Sequence, residues 1–311
     1  MRRSEPDGMG RRRALECMAW AGGGALWTVV GGVPRSALLG GGAQAATLAD
    51  GFSFVQISDS HIGFHNPPNP DTPATLAAAI ETVRRTKGNA GLMIHTGDVS
   101  HLSADAQFDT AHRIIQDAGL ETHFVPGEHD VLIDNGRGFF ARFDKAASTG
   151  GWYSFDQGGV HFVGLNNVQD LKAGGMGALG NTQLEWLERD LAHRSASQPI
   201  VVFAHIPLWV VYEKWGWGTS DGAQALSYLR RFGSVTVLNG HIHQVVQKVE
   251  GTIACHTARS TAFPQPAPGS APAPGPMQVP AARLRSFLGI TEVRVVRGQH
   301  QLAVTDSTLA A

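Results

Sequence analysis

Between residues 52 and 125 the chain alternates three short apolar runs with two helical patterns, and that alternation limits the folds open to it. Phe52 to Ile57 (FSFVQI), Gly91 to His95 (GLMIH) and Glu121 to Val125 (ETHFV) have the length and residue types of buried strands. Pro73 to Lys87 and Ala104 to Asp117 place apolar residues at helical spacing. A β-α-β-α-β order calls for a mostly parallel sheet.

The pattern continues beyond residue 150. Trp152 to Phe155 and Val160 to Leu165 predict a hairpin about Gly158-Gly159, and Asn181 to His193 a helix with Leu184, Leu187 and Leu191 on one face. Pro199 to Ala204 and Val235 to Leu238 predict buried strands, with a helix at about Asp221 to Phe232 between them. Val245 to Val249, Thr252 to His256, Ile290 to Val296 and Gln301 to Thr305 predict further strands. Phe263 to Pro280, FPQPAPGSAPAPGPMQVP, interrupts them and is too rich in Pro, Ala and Gly to pack a core of its own. It reads either as a disordered loop or as an ordered flap, and the flap is preferred. No internal repeat occurs, so residues 46 to 311 read as one domain with two sheets between helical layers.

Residues 1 to 45 read as a targeting segment. Arg11-Arg12-Arg13 precede a moderately apolar, Gly-rich stretch, and Ala43-Gln44-Ala45 is a small-x-small cleavage pattern. The segment resembles a twin-arginine (Tat) signal cleaved after Ala45, which implies the Tat export machinery as a partner and a periplasmic or secreted product. Its glycines and Arg35 make it a poor spanning helix, so no stable membrane anchor is expected after cleavage. Of the two cysteines, Cys17 would leave with the signal, and Cys255 alone forms no internal disulfide.

The formal charge of the 311-residue chain is -1, but residues 1 to 45 hold six arginines against three acids. The remainder keeps 19 basic and 23 acidic side chains, a net charge of -4. Without a Lys and Arg excess there is no electrostatic basis for nucleic-acid binding as a main role.

Each strand of the predicted parallel series ends in the same kind of residue. Asp59-Ser60-His61 follow the first, Gly97-Asp98 the second and Gly127-Glu128-His129-Asp130 the third. His205 follows Pro199 to Ala204, and Gly240-His241-Ile242-His243 follow Val235 to Leu238. Ligands bind in the crevice beyond the carboxyl ends of parallel strands, so five segments would bring Asp, Glu and His to one place. Imidazole mixed with carboxylate suits Fe, Mn and Zn, whereas carboxylate alone suits Mg or Ca. No cysteine takes part, which argues against a structural zinc site. A lone Asp or His at a strand end is ordinarily a cap or a satisfied surface residue. Five such segments in order, with Gly97, Gly127 and Gly240 allowing close backbone approach, are not explained that way.

The ordered set resembles the signature of the calcineurin-like metallophosphoesterases: D-x-H, G-D, G-N-H-D/E, a lone H, then G-H-x-H. The likeness spans about residues 52 to 256 and includes the QLEWLERDL helix. It implies a four-layer α/β/β/α sandwich of two mixed β-sheets flanked by helices, and a metal-dependent phosphoric ester hydrolase. It also implies two metal ions, from Fe, Mn or Zn with an Fe-containing pair favoured. Asp59, His61 and His243 would hold one, Glu128, His205 and His241 the other, and Asp98 would bridge them. Two such ions about 3.5 to 4 Å apart can share a water, lower its pKa and hold the resulting bridging hydroxide in line with phosphorus. His129 would donate to the phosphoryl group or protonate the leaving oxygen. Asp130 would orient His129 or cap the turn, two equally good readings.

Neighbouring residues narrow the class. His101 stands where the purple acid phosphatases have Tyr, and His61 is present where they lack His, so the protein is not of the purple type. His101 itself reads as a residue set behind the metal ligands, as substrate-facing or, by preference, as a polar residue leading into a helix; His95 reads as a core histidine, and His256 has no assigned role. Trp209, Tyr212, Trp215 and Trp217 follow His205 and would either wall the site or pack their loop onto the sheet. No basic cluster surrounds the motifs, which disfavours a highly charged substrate. A small-molecule phosphodiester is preferred over a monoester, as in family members similar to cyclic-nucleotide phosphodiesterases. The rival reading is a metal-binding or sensing module with weak or lost hydrolysis.

Glu128 departs from the Asn of the resembling family. A third carboxylate lowers the charge of a divalent pair, opposes a dianionic monoester more than a monoanionic diester, and could be balanced by Fe(III).

Overall fold

The computed structural model describes residues 25–30, 33–38, 51–86, 88, 90–143, 150–296 and 301–310. The chain divides into two compact units, residues 1–44 and 45–311. In the first, β1 (Ala25–Val30) pairs antiparallel with β2 (Val33–Leu38), Val30 opposite Val33. The arginine run and the Ala43-Gln44-Ala45 pattern of the expected signal lie outside the described residues.

The second unit is built on two mixed sheets. The five-stranded sheet runs in the order β13 (Ala303–Thr308), β12 (Gly289–Arg294), β3 (Ser53–Ile57), β4 (Ala90–His95), β5 (Thr122–Phe124). Its β3, β4 and β5 are parallel, and β12 and β13 are antiparallel additions. The six-stranded sheet runs β10 (Gln247–Glu250), β11 (Ile253–Thr257), β9 (Val235–Asn239), β8 (Ile200–Phe203), β7 (Val160–Gly164), β6 (Tyr153–Gln157). There β11, β9, β8 and β7 are parallel, while β10 and β6 are antiparallel edges.

Strand alternation distributes the apolar residues over three cores. Phe54, Leu92 and Ile94 of one sheet meet Phe162, Val201 and Phe203 of the other, with the rings of Phe54 and Phe162 edge-on at 5.1 Å. Val55, Ile57 and Met93 point the opposite way, under Leu76, Ile80 and Val83 of α1 (Thr72–Thr86) and Phe108 and Ile115 of α2 (Asp105–Gln116). Phe139 and Phe143 of the short α3 (Arg137–Phe143) join that core. On the far side Val163, Val202 and Val237 lie under Leu184, Leu187 and Leu191 of α4 (Gly180–Ala192) and Leu226 and Leu229 of α5 (Gly222–Leu229). Each of these fully buried Leu, Val or Phe side chains contributes about 1.5–3 kcal/mol. The result is the expected α/β/β/α order.

The expected elements fall within a few residues of their places, and α3 is an addition. Its sequence, RGFFARF, is too short for a helical repeat to stand out. The Pro-rich segment 263–280 holds no helix or strand but is tied down. Gln244 Nε2 donates to Pro266 O at 3.0 Å, Met277 N to Pro264 O at 2.8 Å and Gln278 Nε2 to Pro67 O at 3.1 Å. Among the described residues, no helix is long and apolar enough to cross a membrane.

Candidate metal centre

The carboxyl ends of β3, β4, β5, β8 and β9 converge, and the loop after each delivers polar side chains into the crevice between the two sheets. The backbone there turns abruptly. Asp59 (φ 53°), His61 (40°), Asp98 (54°), His241 (68°) and His243 (54°) all adopt left-handed conformations, which for a non-glycine residue cost on the order of 1 kcal/mol or more each. Cross-strand hydrogen bonds hold them: Asp59 N to Gly97 O at 3.0 Å, His61 N to Asp98 O at 2.9 Å and Gly240 N to His205 O at 2.9 Å. Gly97 has φ 92° and sits so close to His205 that an added Cβ would fall 2.6 Å from its Nδ1. Only glycine lets β4 and His205 approach this closely.

Overlapping groups of donors result among the described residues, and two of them carry the expected sets. One ligand atom each of Asp59, His61 and His243 lie within 4.8 Å of one another, as do those of Glu128, His205 and His241. Asp98 stands between, its Oδ2 3.5 Å from His61 Nε2 and 3.4 Å from His205 Nε2. The seven residues expected to bind metal are thus brought together in the expected grouping.

Their protons indicate what the groups can hold. His205 Nδ1 donates to Thr96 O at 2.7 Å, and His243 Nδ1 to Phe263 O at 2.6 Å. A carbonyl only accepts, so each neutral ring carries its lone pair on Nε2, that of His243 lying 3.2 Å from His61 Nε2. Glu128 brings Oε2 to 2.9 Å from His205 Nε2 and Oε1 to 2.9 Å from His241 Nδ1. Yet Glu128 Oε2, His205 Nε2 and His241 Nδ1 have no hydrogen-bond partner. With the rings neutral these are electron-pair donors facing one another, and a positive charge between them, a proton or a metal ion, satisfies them.

The titration behaviour asks for the same charge. Burial would raise the Glu128 pKa, but His241 and His205 hold it well below the carboxylate range. Burial would raise Asp59 as well, and His243 and His205 bring it below its ordinary value. Burial would lower His205, but Asp98 and Glu128 carry it well above. His61 is pushed well below, by burial first and then by His129, His243 and His101, which leaves it neutral. Mixed imidazole and carboxylate of this kind fits Fe, Mn or Zn.

His129 and Asp130 take separate tasks. His129 N donates to Asp98 Oδ1 at 2.9 Å, and its Nδ1 donates to His101 O at 2.7 Å. Burial would lower its pKa, but Asp98 and Glu128 raise it above the usual value. Asp130 does not reach the His129 ring as an orienting carboxylate would. Its Oδ1 accepts from Ser100 N and Oγ at 2.8 and 3.0 Å, and its Oδ2 from Val99 N and Gly127 N, both at 3.0 Å. The orienting acceptor is the carbonyl of His101, and Asp130 fastens the β5 turn to the β4 loop.

His101 does not lead directly into α2. Its ring stacks on His129 at 4.8 Å and brings Nδ1 to 3.4 Å from His61 Nδ1. His95 is buried under Phe124 with Nε2 2.8 Å from Ser60 Oγ, and His256 of β11 pairs with Asp306 of β13 in the other sheet. Sequence reasoning missed Phe263 and Gln265. The Phe263 ring stacks on His61 at 4.8 Å, and Gln265 Nε2 donates to His241 O at 2.8 Å. Their place at the start of the Pro-rich segment was the only available signal.

A cavity of about 520 Å³ opens over the centre. His61, Asp98, Glu128, His129, His241 and His243 line its floor, and Phe263, Gln265 and Pro274 to Pro276 bring the Pro-rich segment to it. Both readings of the tryptophan loop hold in part. Trp209 packs in the core under α5, while Trp215 and Trp217 line the cavity.

Comparison with known proteins agrees with this geometry. The family model described as calcineurin-like phosphoesterase matches residues 52–245. A protein of Psychrobacter arcticus named "Probable cyclic nucleotide phosphodiesterase" is 21% identical over 224 residues, 67% of this chain and 80% of that one. A similarly named protein of Rhodopseudomonas palustris is 24% identical over 162 residues, 50% of this chain and 57% of that one. A dimetal phosphatase from Danio rerio has a similar fold, with TM-score 0.60 and 16% identity, over 83% of this chain and 98% of that one. With the family pattern matched across both sheets and the donor groups assembled as it requires, the chain belongs to the calcineurin-like phosphoesterases and is a metal-dependent phosphoester hydrolase.

Proposed function

We propose that the protein is a dinuclear-metal phosphodiesterase for small, monoanionic phosphodiesters, comparable in reaction to the relatives named for cyclic nucleotides. Asp59, His61 and His243 hold one ion, Glu128, His205 and His241 the other, and Asp98 serves both. Bound there, the ions supply Lewis acidity toward phosphoryl oxygens and acidify water. An Fe-containing pair is favoured because a trivalent ion such as Fe(III) would balance the third carboxylate.

The observation that carries the diester reading is Glu128 itself. Its carboxylate stands within 2.9 Å of both His205 and His241, where it adds negative charge to the floor on which the phosphoryl group must rest. A dianionic monoester meets that charge twice, a diester once. His129 has Nδ1 committed to His101 O, which leaves Nε2 as its reactive nitrogen. His129 lines the cavity, so Nε2 is suited to give a proton to the leaving oxygen. The twin-arginine pattern of Arg11 to Arg13 supports export to the periplasm or beyond, with metal loading before transport.

The test pairs metal analysis with turnover. Protein purified from the exporting cell should hold two metal ions per chain and cleave bis(p-nitrophenyl) phosphate faster than p-nitrophenyl phosphate. Fewer than one ion per folded chain would sink the dinuclear reading. Two ions without turnover of either ester would leave a metal-binding module.

A further inference from the structure

The cavity above the metal centre is charged only at its floor. Phe64, Pro67, Trp215, Trp217, Pro274 and Pro276 form much of its wall, and no lysine or arginine is among the described residues that line it. The remaining wall groups include the neutral amides of Asn66, Gln265 and Gln278. A second phosphate or a carboxylate on the substrate would find no counter-charge here. An uncharged ring would find a surface made for it.

Two tryptophans give that surface its geometry. Trp215 is partly exposed, and its ring is set edge-on to Tyr212 at 5.2 Å and 89° and to Trp217 at 5.0 Å and 80°. These contacts fix the orientation of its indole within the loop. Trp217 is fully buried, lines the same cavity, and its Nε1–H has no hydrogen-bond partner. Trp217 thus serves as the fixed ring behind Trp215. The Pro-rich segment is held across the cavity by Gln265, whose Oε1 accepts from Gly275 N at 3.1 Å while its Nε2 donates to His241 O.

We propose that Trp215 is a specificity-determining residue that stacks a planar, uncharged ring carried by the phosphodiester. This rests on the phosphodiesterase reading and names the substituent that the site selects. A simple aryl ester and a nucleobase share the required chemistry.

Calorimetric titration of the metal-loaded protein with monoanionic esters of methylphosphonate, with any hydrolysis followed by release of the phenol or alcohol, tests it as binding. The phenyl ester should bind about tenfold more tightly than the cyclohexyl ester, which matches it in size and apolarity but is not planar. Trp215→Leu should bring that ratio to near one, and Trp215→Phe should keep most of it. The thymidin-5′-yl ester should depend on Trp215 in the same way as the phenyl ester. Thymidinyl binding above phenyl identifies a nucleobase as the natural ring, and the reverse identifies an aryl group. Equal phenyl and cyclohexyl affinities, or equal losses of both in Trp215→Leu, would overturn the proposal. If diesters are turned over but planarity makes no difference, the stacking fails and the phosphodiesterase reading stands. If planar esters bind through Trp215 but no diester is cleaved, the stacking stands and that reading fails.

Discussion

Glu128 Oε2 and His205 Nε2 lie 2.9 Å apart, and neither has a hydrogen-bond partner. The His205 Nδ1–H is committed to Thr96 O, so the facing atoms are both electron-pair donors that a cation would join. A carboxylate at this position adds one negative charge that an amide would not. Glu128→Asn should therefore raise the rate on p-nitrophenyl phosphate relative to bis(p-nitrophenyl) phosphate by about tenfold, the equivalent of about 1.4 kcal/mol of charge interaction. Glu128→Gln separates charge from side-chain length. Ratios of kcat/KM that stay put in both variants would show that the carboxylate does not set ester preference.

The Pro-rich segment grips the turn that carries His241 and His243. Phe263 O accepts from His243 Nδ1, Pro266 O from Gln244 Nε2, and Gln265 Nε2 donates to His241 O. Groups that orient metal-binding histidines typically change affinity 10- to 100-fold when removed. Gln265→Ala should lower metal affinity by about tenfold and speed proteolysis within residues 263–280. Dialysis against graded chelator, followed by metal analysis, measures the first effect. Unchanged retention would mean that the segment covers the site without holding it.

Much of this was legible because it rests on period and order. Phe54 and Val55 are neighbours in sequence, yet one lies between the sheets and the other under α1 and α2, as the two-residue strand period requires. The candidate metal-binding set was legible because five strand ends repeat one residue chemistry. The contacts around it were not. His101 holds His129 through its main-chain carbonyl, and Phe263 holds His243 the same way, so neither role depends on a side-chain type that a sequence displays. The partners of Asp130 are backbone amides of Val99 and Ser100, about thirty positions away, together with that of nearby Gly127. Only the folded crossing of β4 and β5 brings the distant pair within reach.

Asp130 and His129 are neighbours whose substitutions should have opposite signatures. Asp130→Asn would turn an NH2 group toward donors that now meet a carboxylate oxygen, and leaving buried N–H groups unpaired costs about 1–3 kcal/mol each. Its unfolding free energy in urea should fall by about 3 kcal/mol. His129→Ala should leave stability nearly unchanged and lower kcat by about 100-fold, the scale of a lost proton donor. A stability loss confined to His129→Ala would reverse these assignments.

His95 makes stability depend on pH. Burial pushes its pKa down to about 3, with Asp59 opposing and His205 adding to the shift. Its Nε2 is hydrogen-bonded to Ser60 Oγ, and its Nδ1 has no partner to accept or share a proton. An unfolded histidine titrates near 6.5, so below that pH the unfolded chain takes up a proton that the native state refuses. The stability contributed by neutral His95 is therefore full above about pH 6.5 and is lost progressively as pH falls toward 3. His95→Gln carries no such proton. Between pH 7 and pH 5, wild type should lose about 2 kcal/mol more unfolding free energy than the variant, at up to about 1.4 kcal/mol per pH unit. Urea denaturation of both proteins across that range measures the difference, and parallel curves would mean that the buried ring accepts its proton after all.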